Sequence, residues 1–174
     1  MVVVRRRGCL TFKNNNDMSS RLFLLILNCF FVMYAQADNG AKVATVNIGS
    51  PYKQALTDIK TEFGEPTTIG KQSVEYKNMT YHDFKFDLVI FKFKDGKLNE
   101  ARFFMRAKNK LSADKKVEAL SRELGKKYSL SEDYEDGSYF YKGGLSPKGI
   151  GHLFTISVAK RHGVWDAELT YGPF

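Results

Sequence analysis

Beyond residue 50, apolar positions recur with two different periods, and the switch between them divides the chain into elements. Tyr52, Ala55, Leu56, Ile59 and Phe63 stand three or four residues apart with polar residues between them, the spacing of one face of a helix. Ser50-Pro51 supplies a hydroxyl cap and a proline at the first helical position, Gly64 ends the helix and Pro66 blocks its continuation. A second stripe, Ala113, Val117, Leu120 and Leu124, follows Ser112 as cap, with Asp114 favourable in the first turn. Gly125 stands where Gly64 stood, and the helix stops there or runs on to Tyr128.

After each helix the period shortens to two. The pattern predicts strands over 74–77, 84–93 and 98–105 behind the first helix, and over 138–142, 153–160 and 164–171 behind the second. Asp95-Gly96 is a strong two-residue hairpin turn, since both positions accept positive φ; His162-Gly163 takes the same place in the second set. Overlaid on these turns, the two hairpins match. A two-residue turn pairs Ile90 with Ala101 and Leu88 with Phe103, and likewise Val158 with Ala167 and Ile156 with Leu169. Leu88, Ile90, Ala101, Phe103 and Met105 then correspond to Ile156, Val158, Ala167, Leu169 and Tyr171, all on one sheet face because side chains alternate along a strand. That face is assigned to the helices. The expected fold class is α+β: two tandem α-β-β-β units, 48–107 and 108–174, each helix packed on one face of an antiparallel sheet. Residues 38–47 form an N-terminal segment, and 38–174 make one globular domain.

The opposite faces do not match. In the second hairpin that face holds Thr155, Ser157, Ala159, Asp166, Glu168 and Thr170, a plain solvent face. In the first, the pattern places Val89, Phe91, Phe93, Leu98, Glu100, Arg102 and Phe104 there. Two readings stay open. The N-terminal segment over 43–48, or the loop over 78–83, covers these rings; or the face recognises a partner through Phe91, Phe93, Leu98, Arg102 and Phe104, as aromatic and Arg side chains commonly do at protein interfaces.

Composition changes the picture mainly at the N-terminus. Residues 22–35 read LFLLILNCFFVMYA behind Arg21, short of the roughly 20 residues of a comfortable membrane span, and Ala35-Gln36-Ala37 follows as a signal-peptidase site. The expectation is a signal peptide over 1–37, cleaved near Ala37-Asp38, leaving a periplasmic or secreted protein with no stable membrane span. Met18, followed by Ser-Ser-Arg and the apolar run, makes a conventional start, so translation is expected to begin there. Cys29 follows Asn28 rather than a small residue, which argues against lipidation. Both cysteines, Cys9 and Cys29, lie in the leader, so the mature chain has no disulfide, thiol nucleophile or thiolate ligand. The leader also carries Arg5, Arg6, Arg7, Lys13 and Arg21 against Asp17, half of the net charge of +8. What remains is interspersed with acids and forms no basic stripe of the kind nucleic acid requires. With 43% hydrophobic and 14% aromatic residues, the chain is expected to fold rather than remain disordered.

No catalytic set is apparent. His82, His152 and His162 lack helical partners with metal-ligand spacing, and no metal or cofactor is expected. Gly143-Gly144-Leu145-Ser146-Pro147-Lys148-Gly149 lacks the Gly-Lys-Ser/Thr ending of a phosphate loop and reads as a flexible connection. A hydrolase-like reading would rest on His82 with Asp83 alone. A glycan or small-molecule binder would use Tyr76, Tyr81, Tyr139, Tyr141 and Trp165, with Tyr81 and Trp165 as candidate stacking residues; Trp165 otherwise caps the end of the helix-facing core.

Ile48-Gly49-Ser50, a helix, and then Phe63-Gly64-Glu65-Pro66 resemble the opening of small envelope proteins of the SmpA/OmlA type. The tandem helix-plus-sheet layout resembles the β-lactamase-inhibitor-protein fold, and the stretches 84–105, 142–150 and 168–174 are similar to small exported Bacteroidetes proteins of unassigned activity. The first helix is about one turn longer than the SmpA/OmlA pattern, and no lipid-bearing cysteine follows the leader. The inhibitor-like layout implies recognition of a protein partner, in the periplasm or outside the cell, on an exposed sheet face. The expected function is therefore an exported, non-enzymatic binding module.

Overall fold

The structure, a computed structural model, describes residues 41–174; the expected leader, its cleavage site and the Met18 start lie outside the described residues. Ten strands and two helices follow in the order β1 (Lys42–Val43), β2 (Val46–Asn47), α1 (Tyr52–Phe63), β3 (Thr68–Ile69), β4 (Ser73–Tyr81), β5 (Phe84–Lys94), β6 (Lys97–Ala107), α2 (Lys110–Leu124), β7 (Leu130–Glu135), β8 (Ser138–Gly143), β9 (Phe154–Arg161) and β10 (Val164–Tyr171). Strands β1 and β2 pair with each other. The other eight form one antiparallel sheet in the order β3-β4-β5-β6-β10-β9-β8-β7. Among the described residues the fold is α+β with two helices, as the pattern predicts, and the sheet is larger than expected.

The helix starts differ from the expected caps. Ser50 gives α1 no side-chain cap; the Tyr52 amide instead donates to the Gly96 carbonyl. Helix α2 begins at Lys110, two residues before the expected cap. Asn109 accepts from the Ser112 amide while the Ser112 hydroxyl accepts from the Asn109 amide, a reciprocal capping box that satisfies two otherwise orphaned donors.

The two hairpins separate the correct part of the register reading from the incorrect one. In the second, Val158 faces Ala167 and Ile156 faces Leu169, as a two-residue turn dictates. In the first, Phe93 pairs with Leu98, but Lys92 pairs with Glu100. Asn99 is an extra residue, a β-bulge, and every pair beyond it is displaced by one. Phe91 therefore faces Ala101, and Val89 faces Phe103. Ile90 and Leu88, expected on the helix side, lie across from Arg102 and Phe104 on the other side.

Both helices pack on one side of the sheet. Phe63 of α1 lies 5.4 Å from Phe91, and Tyr52 lies 4.6 Å from Phe93, ring centre to ring centre. Val117, Leu120 and Leu124 of α2 belong to the same buried cluster, together with Ile156, Ala167 and Leu169. Val43, Val46 and Ile48 join it from the N-terminal strands. Burial of this much apolar surface is the main stabilising contribution.

Candidate functional site

The bulge decides which expected site residues remain candidates. Phe91, Phe93 and Leu98 belong to the core beneath the helices, so their placement on a recognition face is corrected. The ladder slip at Asn99 turns them to the helix side, where α1 and the N-terminal residues Val43, Val46 and Ile48 share their cluster, as the covering of these rings by the segment over 43–48 anticipated, and Tyr81 packs against it. Arg102 and Phe104 do lie on the side opposite the helices. Alternation along β6 sets Glu100, Arg102, Phe104 and Arg106 there, beside Thr170, Glu168 and Asp166 of β10 and Ile90 and Leu88 of β5.

The centre of this open side is a chain of charges built over a ring. Lys92 Nζ is 2.8 Å from Glu100 Oε2, and Arg102 Nε is 3.8 Å from Glu100 Oε1. Arg102 Nε also donates to Glu168 Oε1 at 2.5 Å, and the Thr170 hydroxyl donates to the same oxygen at 2.7 Å. The bond to Glu168 is the largest influence on Arg102 and raises its pKa above the ordinary arginine value, against the opposing effect of burial. Arg161 lies 3.5 Å from Asp166 Oδ2. The guanidinium of Arg161 lies 4.1 Å above the centre of the Phe104 ring, and that of Arg102 lies 5.1 Å from it, within the reach of cation–π attraction. Phe104 is thus buried, with two guanidinium groups against its ring and Leu88 across the ladder from it.

This arrangement includes two groups that alternation alone assigns to solvent. Asp166 is 1% exposed and Glu168 is 5% exposed. Alternation carries no signal for their burial, because that burial comes from the long-range pairing of β6 with β10, which sets Arg102 opposite Thr170 and Phe104 opposite Glu168. The face therefore carries Lys77, Lys92, Arg102, Arg106 and Arg161 against Glu75, Asp87, Glu100, Asp166 and Glu168, a balanced set in which two of the carboxylates are buried while every cation is exposed or partly exposed.

The candidate stacking residues separate. Tyr81 stacks on Phe103 at 4.9 Å and its hydroxyl lies 3.3 Å from that of Tyr171, so it is part of the aromatic core. Tyr76 is buried and donates to the Gly64 carbonyl at 2.8 Å; burial, with Glu65 nearby, pushes its pKa to about 12. Trp165 and Tyr139 instead line one cleft of about 510 Å³ between the β7–β8 and β9–β10 hairpins. His82 and Asp83 form the two-residue turn between β4 and β5, both at positive φ. Among the described residues, no three His, Cys, Asp or Glu side chains gather as a metal site, and no helix is long and apolar enough to cross a membrane.

The chain matches no family model, no curated protein and no solved structure. Geometry alone therefore carries the functional reading, and two places in the molecule bear on it: the charged open face over Phe104 and the aromatic cleft beside Trp165.

Proposed function

We propose that this chain is an exported, non-enzymatic binding module that recognises a protein partner through the open face of its sheet. The observation that carries this reading is the position of both helices. They share one side, and the other side of the central strands β5, β6 and β10 bears half-exposed Leu88 and Ile90 beside the Arg102–Phe104–Arg161 cluster. Aromatic and Arg side chains supply much of the energy at protein interfaces, and cations held in place by Glu168 and Glu100 lose little freedom on binding.

The strand order supports reading the molecule as two copies of one helix-plus-sheet unit, 48–107 and 108–174. It runs outward from β6 to β3 on one side and from β10 to β7 on the other, and the two halves join where Ala101, Phe103 and Met105 pair with Tyr171, Leu169 and Ala167. The resemblance to the β-lactamase-inhibitor-protein layout belongs to the same reading, in which the sheet's free side meets the partner.

The test compares capture by the wild type with capture by a Lys92→Glu, Arg106→Glu double variant and by a Lys115→Glu control on α2. The expected result is a partner lost by the double variant and retained by the control, with both variants folded by circular dichroism. A partner retained by both would place recognition elsewhere. Export is tested by sequencing the mature N-terminus, expected at Asp38.

A further inference from the structure

The ladder between β8 and β9 stops early. Gly143 pairs with Phe154, Lys142 with Thr155 and Tyr141 with Ile156; beyond that the strands part, although β8 runs back to Ser138 and β9 continues to Arg161. A wedge opens between them, and this wedge is the 510 Å³ cleft, within the size range of small-ligand sites, about 300–1,000 Å³. A strut braces its outer wall. Lys110, the first residue of α2, donates from Nζ to the carbonyls of Asp136 and Gly137 at 2.7 and 2.8 Å. Gly137 makes room for it, since a Cβ there would sit 2.9 Å from that nitrogen. The turn of the β7–β8 hairpin is thereby tied to the helix rather than closed onto β9.

We infer that this wedge binds an oligosaccharide, with Tyr139 and Trp165 as its stacking walls. The proposal rests on a different site from the open face. Three features select the ligand class. Tyr139, 49% exposed and packed against Tyr134, and Trp165, with Lys160 5.0 Å over its ring, line the cleft with the aromatic surface that the C–H faces of a sugar pack on. The unpaired strand edges supply main-chain donors and acceptors. The Ser138 hydroxyl is buried without a hydrogen-bond partner, and Thr155 and Ser157 lie on the facing strand; such a set matches a ligand dense in hydroxyls. An extended peptide fits less well. Pairing on both sides would need about two strand spacings, roughly 9.5 Å, along its whole length, whereas the wedge narrows to an ordinary single spacing at Tyr141 and Ile156.

Trp165 is the only tryptophan of the chain, so its fluorescence reports on the site directly. Titration with oligomers of N-acetylglucosamine and of galacturonate is expected to shift its emission saturably in at least one series. Tyr139→Ala, at an exposed edge position, should weaken that binding by about tenfold while leaving circular dichroism and the thermal midpoint as in the wild type. Lys92→Glu, on the open face, should leave it unchanged. Either of two outcomes would overturn the assignment: no saturable shift with any saccharide up to about 10 mM, or a shift that Tyr139→Ala leaves intact. A shift produced only by a strand-forming peptide would give the wedge to β-augmentation and overturn it equally.

Discussion

Phe63, the last residue of α1, holds its ring 5.4 Å from that of Phe91 in the middle of β5. This contact fixes which side of the first hairpin is core. Phe91 is fully buried, and its neighbours include Tyr76 and Phe103. Truncation to Ala would leave a cavity that this aromatic cluster cannot fill, at a cost of about 3–5 kcal/mol. Ile90→Ala, on the half-exposed open side, should cost about 1–2 kcal/mol by the same reasoning with less area lost. Chemical denaturation of both variants checks the order; equal costs would contradict the face assignment.

The elements that were legible in the sequence are those whose apolar period was unbroken. Both helix stripes and the β9–β10 hairpin are of this kind. The β5–β6 hairpin was not legible, because β5 is apolar on both faces and accepts either register. A signal was nonetheless present on β6. Leu98 and Ala101 are three apart, whereas Ala101, Phe103 and Met105 keep the even spacing of one strand face, and a phase slip of this kind marks a bulge. Strand β7 escaped for a different reason. Its residues, Leu-Ser-Glu-Asp-Tyr-Glu, are exposed after the first, and a polar edge strand shields the sheet from pairing with other chains while showing no alternation. The burial of Asp166 and Glu168 is not legible because sequence alternation gives the face of a residue but not what lies across it.

Arg102 and Glu168 form the next testable pair. Glu168 is buried, and its Oε1 accepts from Arg102 and from the Thr170 hydroxyl. Removing the guanidinium would leave a covered carboxylate without its cation, which costs more than the pair contributes. Arg102 is itself about one-third exposed, so water enters and moderates the loss. Arg102→Ala should cost about 2–3 kcal/mol, and Glu168→Gln less. In a double-mutant cycle the two changes should be clearly non-additive; strictly additive costs would show that the pair is not coupled.

Stability should decline on both sides of neutrality for separate reasons. Burial, reinforced by Lys127, lowers the pKa of His82 below its ordinary 6.5. The unfolded chain then binds the proton more readily than the folded one, so stability is full above about 6.5 and falls as pH drops through that value. His82→Asn, which tolerates the positive φ of this turn, should flatten the acid limb. At the alkaline end, burial raises the pKa of Tyr171 well above 10 and that of Tyr81 above it. The unfolded chain loses these protons first, so stability falls as pH rises past 10, and Tyr171→Phe should reduce that slope. Denaturation midpoints between pH 5 and pH 11 follow both effects; an unchanged acid limb in His82→Asn would remove the role assigned to His82.

Deleting one residue from each hairpin should have opposite consequences. In the first, Asn99 is the unpaired residue, and without it Leu98 still faces Phe93, Glu100 still faces Lys92 and Ala101 still faces Phe91. The faces are preserved, and the loss is confined to the bond from the Phe174 amide to the Asn99 side chain, about 1 kcal/mol, together with the local twist. In the second hairpin there is no bulge to absorb a deletion. Removing Lys160 shifts the ladder by one and sets Val158 against Asp166 instead of Ala167, which turns a core strand over relative to its partner. The Asn99 deletion should therefore fold with its Phe91–Ala101 cross-strand contact intact, visible as a nuclear Overhauser effect between the two. The Lys160 deletion should lose cooperative unfolding. If the Asn99 deletion collapsed instead, the bulge would be required for the sheet's shape as well as for its register.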